Sequence, residues 1–89
     1  MLVRCRLVGR WHHTMLPLTP EDVVELVRDT ANPSDENAIQ VWAHLDDVWT
    51  HVGFVERRAA AELAARELMG ARIITQGDGH DVPLCVEAR

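Results

Sequence analysis

Five histidines, two cysteines and fourteen carboxylates give this chain the raw material for metal or acid–base chemistry. Their spacing does not use it. His12, His13, His44, His51, His80, Cys5 and Cys85 contain no Cys-x2-Cys or His-x3-His pair, the spacings that let neighbouring ligands converge on zinc. Adjacent His12 and His13 on a strand point to opposite faces, so no metal site is expected. The single serine, Ser34, lacks the Gly-x-Ser-x-Gly elbow that exposes a nucleophile. Gly77-Asp78-Gly79 is too short to cradle a phosphate and has no following lysine and helix. No pair of carboxylates has a spacing that implies shared acid–base work. The expectation is a binding protein, not an enzyme, with no cofactor. One segment does concentrate polar groups with a purpose: Asn32-Pro33-Ser34-Asp35-Glu36-Asn37-Ala38-Ile39. Pro33 fixes its own φ and pushes Asn32 into an extended conformation. Asp35 and Asn37 can accept hydrogen bonds from nearby backbone N–H groups and tighten the turn. Taken alone, the segment reads as a self-satisfied turn leading into a strand.

The elements that would hold this segment follow from periodicity. At 89 residues, with 47% hydrophobic and 26% charged residues, the chain reads as one small globular domain, residues 1–89. Leu2 to Val8 alternates, with Val3, Cys5 and Leu7 opposite Arg4 and Arg6, as in a half-buried strand. Thr19-Pro20-Glu21-Asp22 has the chemistry of a helix start. The β-branched residues among Val23, Val24, Leu26 and Val27 favour a strand, and local rules leave both open. Ala38 to Ala43 and Trp49 to Val55 form a hairpin through a turn at His44-Leu45-Asp46-Asp47. Residues 56–69 read as a helix, with Ala59, Ala60, Leu63, Ala64 and Leu68 on one face and Gly70 as its stop. Arg72 to Gln76 and Val82 to Glu87 are the last strands. Five to six strands and one main helix at about 56–69 predict a mainly β (α+β) fold, a small OB-like or SH3-like β-barrel, since closure removes exposed edges. Cys5 and Cys85 are expected as reduced, buried thiols, with a disulfide open only if the end strands are neighbours. No apolar run approaches the ~18 residues that cross a bilayer, and the opening residues lack the apolar core of a signal peptide. A cytoplasmic location without membrane contact is expected.

Leu26-Val27-Arg28-Asp29, then Asn32-Pro33-x-Asp35-x-Asn37-Ala38-Ile39-x-Val41, then Val52-Gly53-x-Val55 and an arginine-bearing alanine/leucine helix together resemble the HIRAN domain. The likeness runs from about Leu2 to Val86. It implies an OB-like barrel, a strand rather than a helix at 23–28, and capture of the 3′ end of single-stranded DNA or of damaged or forked DNA. Carried over position by position, it implies that Asp35 meets the terminal 3′-hydroxyl and that Asn32 lines the same pocket. A carboxylate accepts a hydrogen bond from a hydroxyl and repels a phosphate. Arg57 stands where DNA-binding members carry a basic residue facing the phosphate backbone, a task that suits guanidinium. Arg10, Trp11, His12 and Phe54 complete the implied nucleic-acid-binding set. The chain departs from the family where Ser34 replaces a stacking aromatic, Phe54 a histidine, and Trp11-His12 an Arg-aromatic pair. His80 falls near another aromatic position.

Charge sets a second reading against the first. The net charge is −5 and all nine basic residues are arginine, which argues against coating of duplex DNA through phosphates. It leaves room for a compact pocket that grips a strand end weakly, at micromolar affinity or worse. The alternative is a protein-interaction or adaptor domain on the same barrel without DNA binding, with a helicase or nuclease-type protein as partner. Trp42 and Trp49 are expected as hairpin neighbours, with at least one in the core; exposed together they would mark a protein contact.

Overall fold

The computed structural model describes residues 1–10, 16–76 and 82–89. Alternation places β1 (Leu2–Val8) with Val3, Cys5 and Leu7 buried and Arg4 and Arg6 outside. β2 (Val24–Arg28), β3 (Ile39–Leu45) and β4 (Val48–Val55) follow. A short helix, α1 (Arg57–Glu62), precedes β5 (Leu68–Ile73) and β6 (Val82–Ala88). The six strands close into an antiparallel barrel in the order β1-β4-β3-β2-β5-β6. The segment 24–28 is therefore a strand, paired along its length with 39–43. Leu7, Ile39, Val41, Val52, Leu84 and Val86 are fully buried in one aliphatic cluster. Burying such a side chain contributes about 1.5–3 kcal/mol. Among the described residues no helix is long and apolar enough to cross a membrane.

The helix is the main correction. It ends at Glu62 rather than 69, although the alanine-rich sequence continues. Ala59, Ala60 and Leu63 do pack on the core, but Ala64 is exposed and Leu68 pairs with Ala88 in β5. Closure explains this: only a strand at 68–73 can bridge β2 and β6 and complete the ring. The side chain of Arg28 donates to the carbonyls of Leu63 (2.9 Å) and Arg66 (2.6 Å), satisfying groups that a continuing helix would have bonded. Gly70 lies inside β5 at a register shift, not at a helix end.

The β3–β4 hairpin turns on Asp46 and Asp47 alone, at φ of 49° and 65°, with His44 and Leu45 still in the strand. Two left-handed residues give the turn whose twist matches the flanking strands. A bulge then lets Val41 face Gly53 while Trp42 faces His51. Gly53 has a φ of 153° and packs against β1, where a Cβ would stand 2.5 Å from the carbonyl oxygen of Val8.

The end strands are neighbours, yet the cysteines do not meet. Cys5 pairs with Leu84 on the core side, whereas Cys85 pairs with Arg4 on the other face of the sheet, where it is still covered. Both thiols are free and buried. Burial, aided by Glu56, Cys85 and Glu62, pushes the Cys5 thiol up to about 11. A thiol-specific reagent at mildly alkaline pH is expected to leave Cys5 unmodified in the native protein and to label it on unfolding; rapid labelling before unfolding would contradict its burial.

Candidate functional site

The turn between β2 and β3 is built by its own side chains. Asn32 Oδ1 accepts from the backbone N–H of Ser34 (2.9 Å) and of Asp35 (3.0 Å), and Asn32 Nδ2 donates to Asp29 Oδ2 at 3.3 Å. Asp35 Oδ1 accepts from the N–H of Asn37 at 2.9 Å, and the Asp35 carbonyl accepts from Ala38. The loop is thus held from both ends, and the side chain of Asn32 is engaged in its own turn.

One carboxylate oxygen of Asp35 braces the loop; the other faces Arg57. Asp35 Oδ2 lies 3.9 Å from Arg57 Nε, and Arg57 Nη2 donates to the Ser34 carbonyl at 3.0 Å. The first turn of α1 sets this arginine against the loop, and its side chain remains 78% exposed while that of Asp35 is 20% exposed. Two concavities flank the pair. One of about 390 Å³ is walled by Asn32, Pro33, Asn37 and Ala61; the other, about 180 Å³, by Val8, Ala38, Phe54 and Val55. Asn32, Ser34, Asp35 and Arg57 border both. The larger falls within the ~300–1,000 Å³ range of small-ligand sites. A roomier hollow of about 550 Å³ on the opposite arc involves Met1, Leu2, Gly70 and Glu87. The polar network of the Asn32–Asn37 turn makes the smaller pair the better candidate, since specificity comes from placed polar groups rather than volume.

Of the residues implied by the resemblance, Asn32, Asp35, Phe54 and Arg57 come together here. Arg10 does not join them. It is fully buried, its Nη2 donates to the Leu16 carbonyl, and its Cγ packs where a Gly53 side chain would be. In this structure the guanidinium is enclosed against the barrel wall, apart from the Asp35–Arg57 cluster. Trp11, His12 and His80 lie outside the described residues.

Sequence reasoning misplaced the hairpin tryptophans. Neither is in the core: Trp42 is half-buried and Trp49 is 43% exposed. They are not partners of each other, for Trp42 pairs with His51 and His44 with Trp49. Trp42 and His51 stack with ring centroids 5.0 Å apart, His44 and Trp49 meet tilted at 5.0 Å, and His51 meets Phe54 edge-on at 5.1 Å. Trp42 Nε1 donates to Gln40 Oε1 at 2.8 Å. The signal was present in the alternation of Val41 and Ala43 with Trp42 and His44, which already puts the rings outside.

His51 Nε2 lies 3.0 Å from the Gly53 carbonyl, which can only accept, so Nε2 carries the proton. Burial lowers the pKa of the ring from its ordinary value, against the opposing pull of that hydrogen bond and of Asp29. A depressed folded-state value means that the unfolded chain takes up the proton first. The stability from a neutral His51 is therefore complete above the unfolded value and lost as pH falls from there through the lower folded value. Thermal melts between about pH 7 and pH 5 are expected to show a decline that His51→Gln flattens; equal declines in both proteins would contradict this.

A protein-family model described as the HIRAN domain matches residues 2–75. No curated protein matches the chain. Among solved structures it is similar to the crystal structure of the HIRAN domain of human HLTF, with a TM-score of 0.77 at 24% identity, covering 98% of this chain and 74% of that one. At that identity the likeness establishes the fold.

Proposed function

The chain belongs to the HIRAN domain family, a family of DNA-binding modules, and on that premise we propose that the Asp35–Arg57 site receives the 3′ end of a single DNA strand. The observation that carries the reading is the pairing of a loop-braced carboxylate with an exposed guanidinium at the mouth of two small concavities. Asp35 accepts the hydrogen bond of the terminal 3′-hydroxyl through the oxygen that the loop does not use. Arg57 swings its fork to the phosphate preceding the terminal sugar, a charge-assisted contact. Phe54, on the wall of the smaller concavity, offers a face to the terminal base. Asn32 acts at one remove by holding the loop. No bond is made or broken in this scheme; the module recognises an end.

The scheme limits affinity. Stacking contributes about 1–3 kcal/mol per base, and each phosphate contact adds about −0.7 to the logarithmic salt slope. Binding should be micromolar or weaker with a shallow salt dependence. Titrating a labelled oligothymidine with a free 3′ end, the same strand circularised, and a blunt duplex tests this. The linear strand is expected to bind and the circle and duplex to bind much more weakly. Arg57→Ala should weaken the linear strand about five- to tenfold and reduce its salt slope by about 0.7. Tight binding of blunt duplex with a steep salt slope would refute the pocket.

A further inference from the structure

Three tryptophans and one phenylalanine are the only large aromatic residues of the chain. Trp42, Trp49 and Phe54 all lie on the outer face of the β3–β4 hairpin rather than in the core. The apolar surface extends onto β2, where Val27 is 47% and Val23 is 60% exposed. The formal charges beside the tryptophans are negative. Exposed Glu25 is the cross-strand partner of Trp42, and exposed Asp46 and Asp47 form the turn beyond His44 and Trp49. The arginine of β2, Arg28, is engaged with the carbonyls after α1.

An aromatic face rimmed by carboxylates repels phosphate and suits a cation. Tryptophan is the best aromatic partner for a positive charge, and planar guanidinium stacks on it while its N–H groups bond carboxylate. We propose that this face docks an arginine-rich segment of another protein. Phe54, at the edge of this face, also walls the Asp35 pocket, but the docking contacts proposed here lie at Trp42, Trp49, Glu25 and Asp47, and the inference does not depend on the function assigned to that pocket. Guanidinium lies over Trp49 and the exposed part of Trp42, with Glu25 and Asp47 as its counter-charges.

The test uses a short labelled peptide alternating arginine with serine, its glutamate counterpart, and a labelled oligothymidine. The arginine peptide is expected to bind the whole protein and the glutamate peptide not to bind. Trp49→Ala should weaken the arginine peptide about fivefold. Glu25→Gln with Asp47→Asn should do the same, and asparagine tolerates the left-handed turn position. Glu62→Gln with Glu87→Gln, an equal charge change elsewhere, should leave binding unchanged, as should Asp35→Ala. Melting curves confirm that each variant is folded. The proposal fails if the arginine peptide does not bind, or if the two charge pairs act alike, which is generic attraction to an acidic protein. It also fails if Trp49→Ala instead weakens oligothymidine, which assigns the face to nucleic acid, or abolishes self-association seen by sedimentation, which assigns it to a second copy.

Discussion

Gly53→Ala is expected to lower unfolding free energy by about 2–6 kcal/mol. Gly53 sits at a φ of 153° beside a bulge, and an added Cβ would lie 2.5 Å from the Val8 carbonyl oxygen and 2.9 Å from Leu7 Cδ1. A flexible side chain can step aside, but a backbone carbonyl moves only with its strand. That strand is at the narrow seam where β1 joins β4 through Leu7↔Val55 and Val8↔Phe54. Arg10 packs behind the same glycine. Overpacking costs about 1–3 kcal/mol, and holding a side chain at an unfavourable φ about 1–3 kcal/mol more. Small domains have only about 5–15 kcal/mol in total, so the melting temperature should fall by roughly 10 °C or more. Gly9→Ala is the informative contrast. Its φ is 72°, but the nearest atom to its Cβ is Phe54 Cδ2 at 3.6 Å, so about 1 kcal/mol is expected. Chemical denaturation followed by circular dichroism measures both. Equal losses, or a Gly53→Ala loss below about 1 kcal/mol, would show that the seam yields more easily than its geometry implies.

The same seam shows which parts of the molecule the sequence made legible. Alternation in Val3, Cys5 and Leu7 marked β1, and Asn32, Pro33 and Asp35 announced a turn because their chemistry is local. The hairpin turn was legible for the same reason, although read as His44 to Asp47 and in fact confined to Asp46 and Asp47. β2 was not: Thr19-Pro20-Glu21-Asp22 satisfies helix rules, and only pairing with β3, and the resemblance that implied it, decides for a strand. The helix overran because alanine propensity is local while the need for β5 is a property of the closed ring. The burial of Arg10 was hidden for a similar reason. A basic residue type signals surface, and its burial becomes apparent only when distant Gly53 packs against it and the chain returns six residues later to offer the Leu16 carbonyl. At least one of Trp42 and Trp49 was expected inside because large aromatic side chains bury much apolar area; here the narrow core is filled by Val, Leu, Ile and Ala.

Asp35→Ala is expected to remove most of the preference for a 3′-hydroxyl over a 3′-phosphate. In the proposed complex the hydroxyl donates to a carboxylate whose second oxygen is tied to the Asn37 N–H, so the carboxylate cannot turn away from an incoming phosphate. A lost hydrogen bond to a charged group costs about 1.5–3 kcal/mol, roughly ten- to a hundredfold in affinity. The alanine variant also forfeits the bond to Asn37, so its melting temperature should drop by several degrees, about 1 kcal/mol in a domain of this size. Arg57→Ala, by contrast, should weaken both ends alike, since it meets an internal phosphate. A purely structural Asp35 would lower the melting temperature and leave the end preference of the strand unchanged. The most direct measurement is therefore one titration of the unmodified protein with two otherwise identical single strands, one ending in 3′-hydroxyl and one in 3′-phosphate. The account predicts at least about tenfold tighter binding of the hydroxyl end; equal binding, or preference for the phosphate, would contradict it.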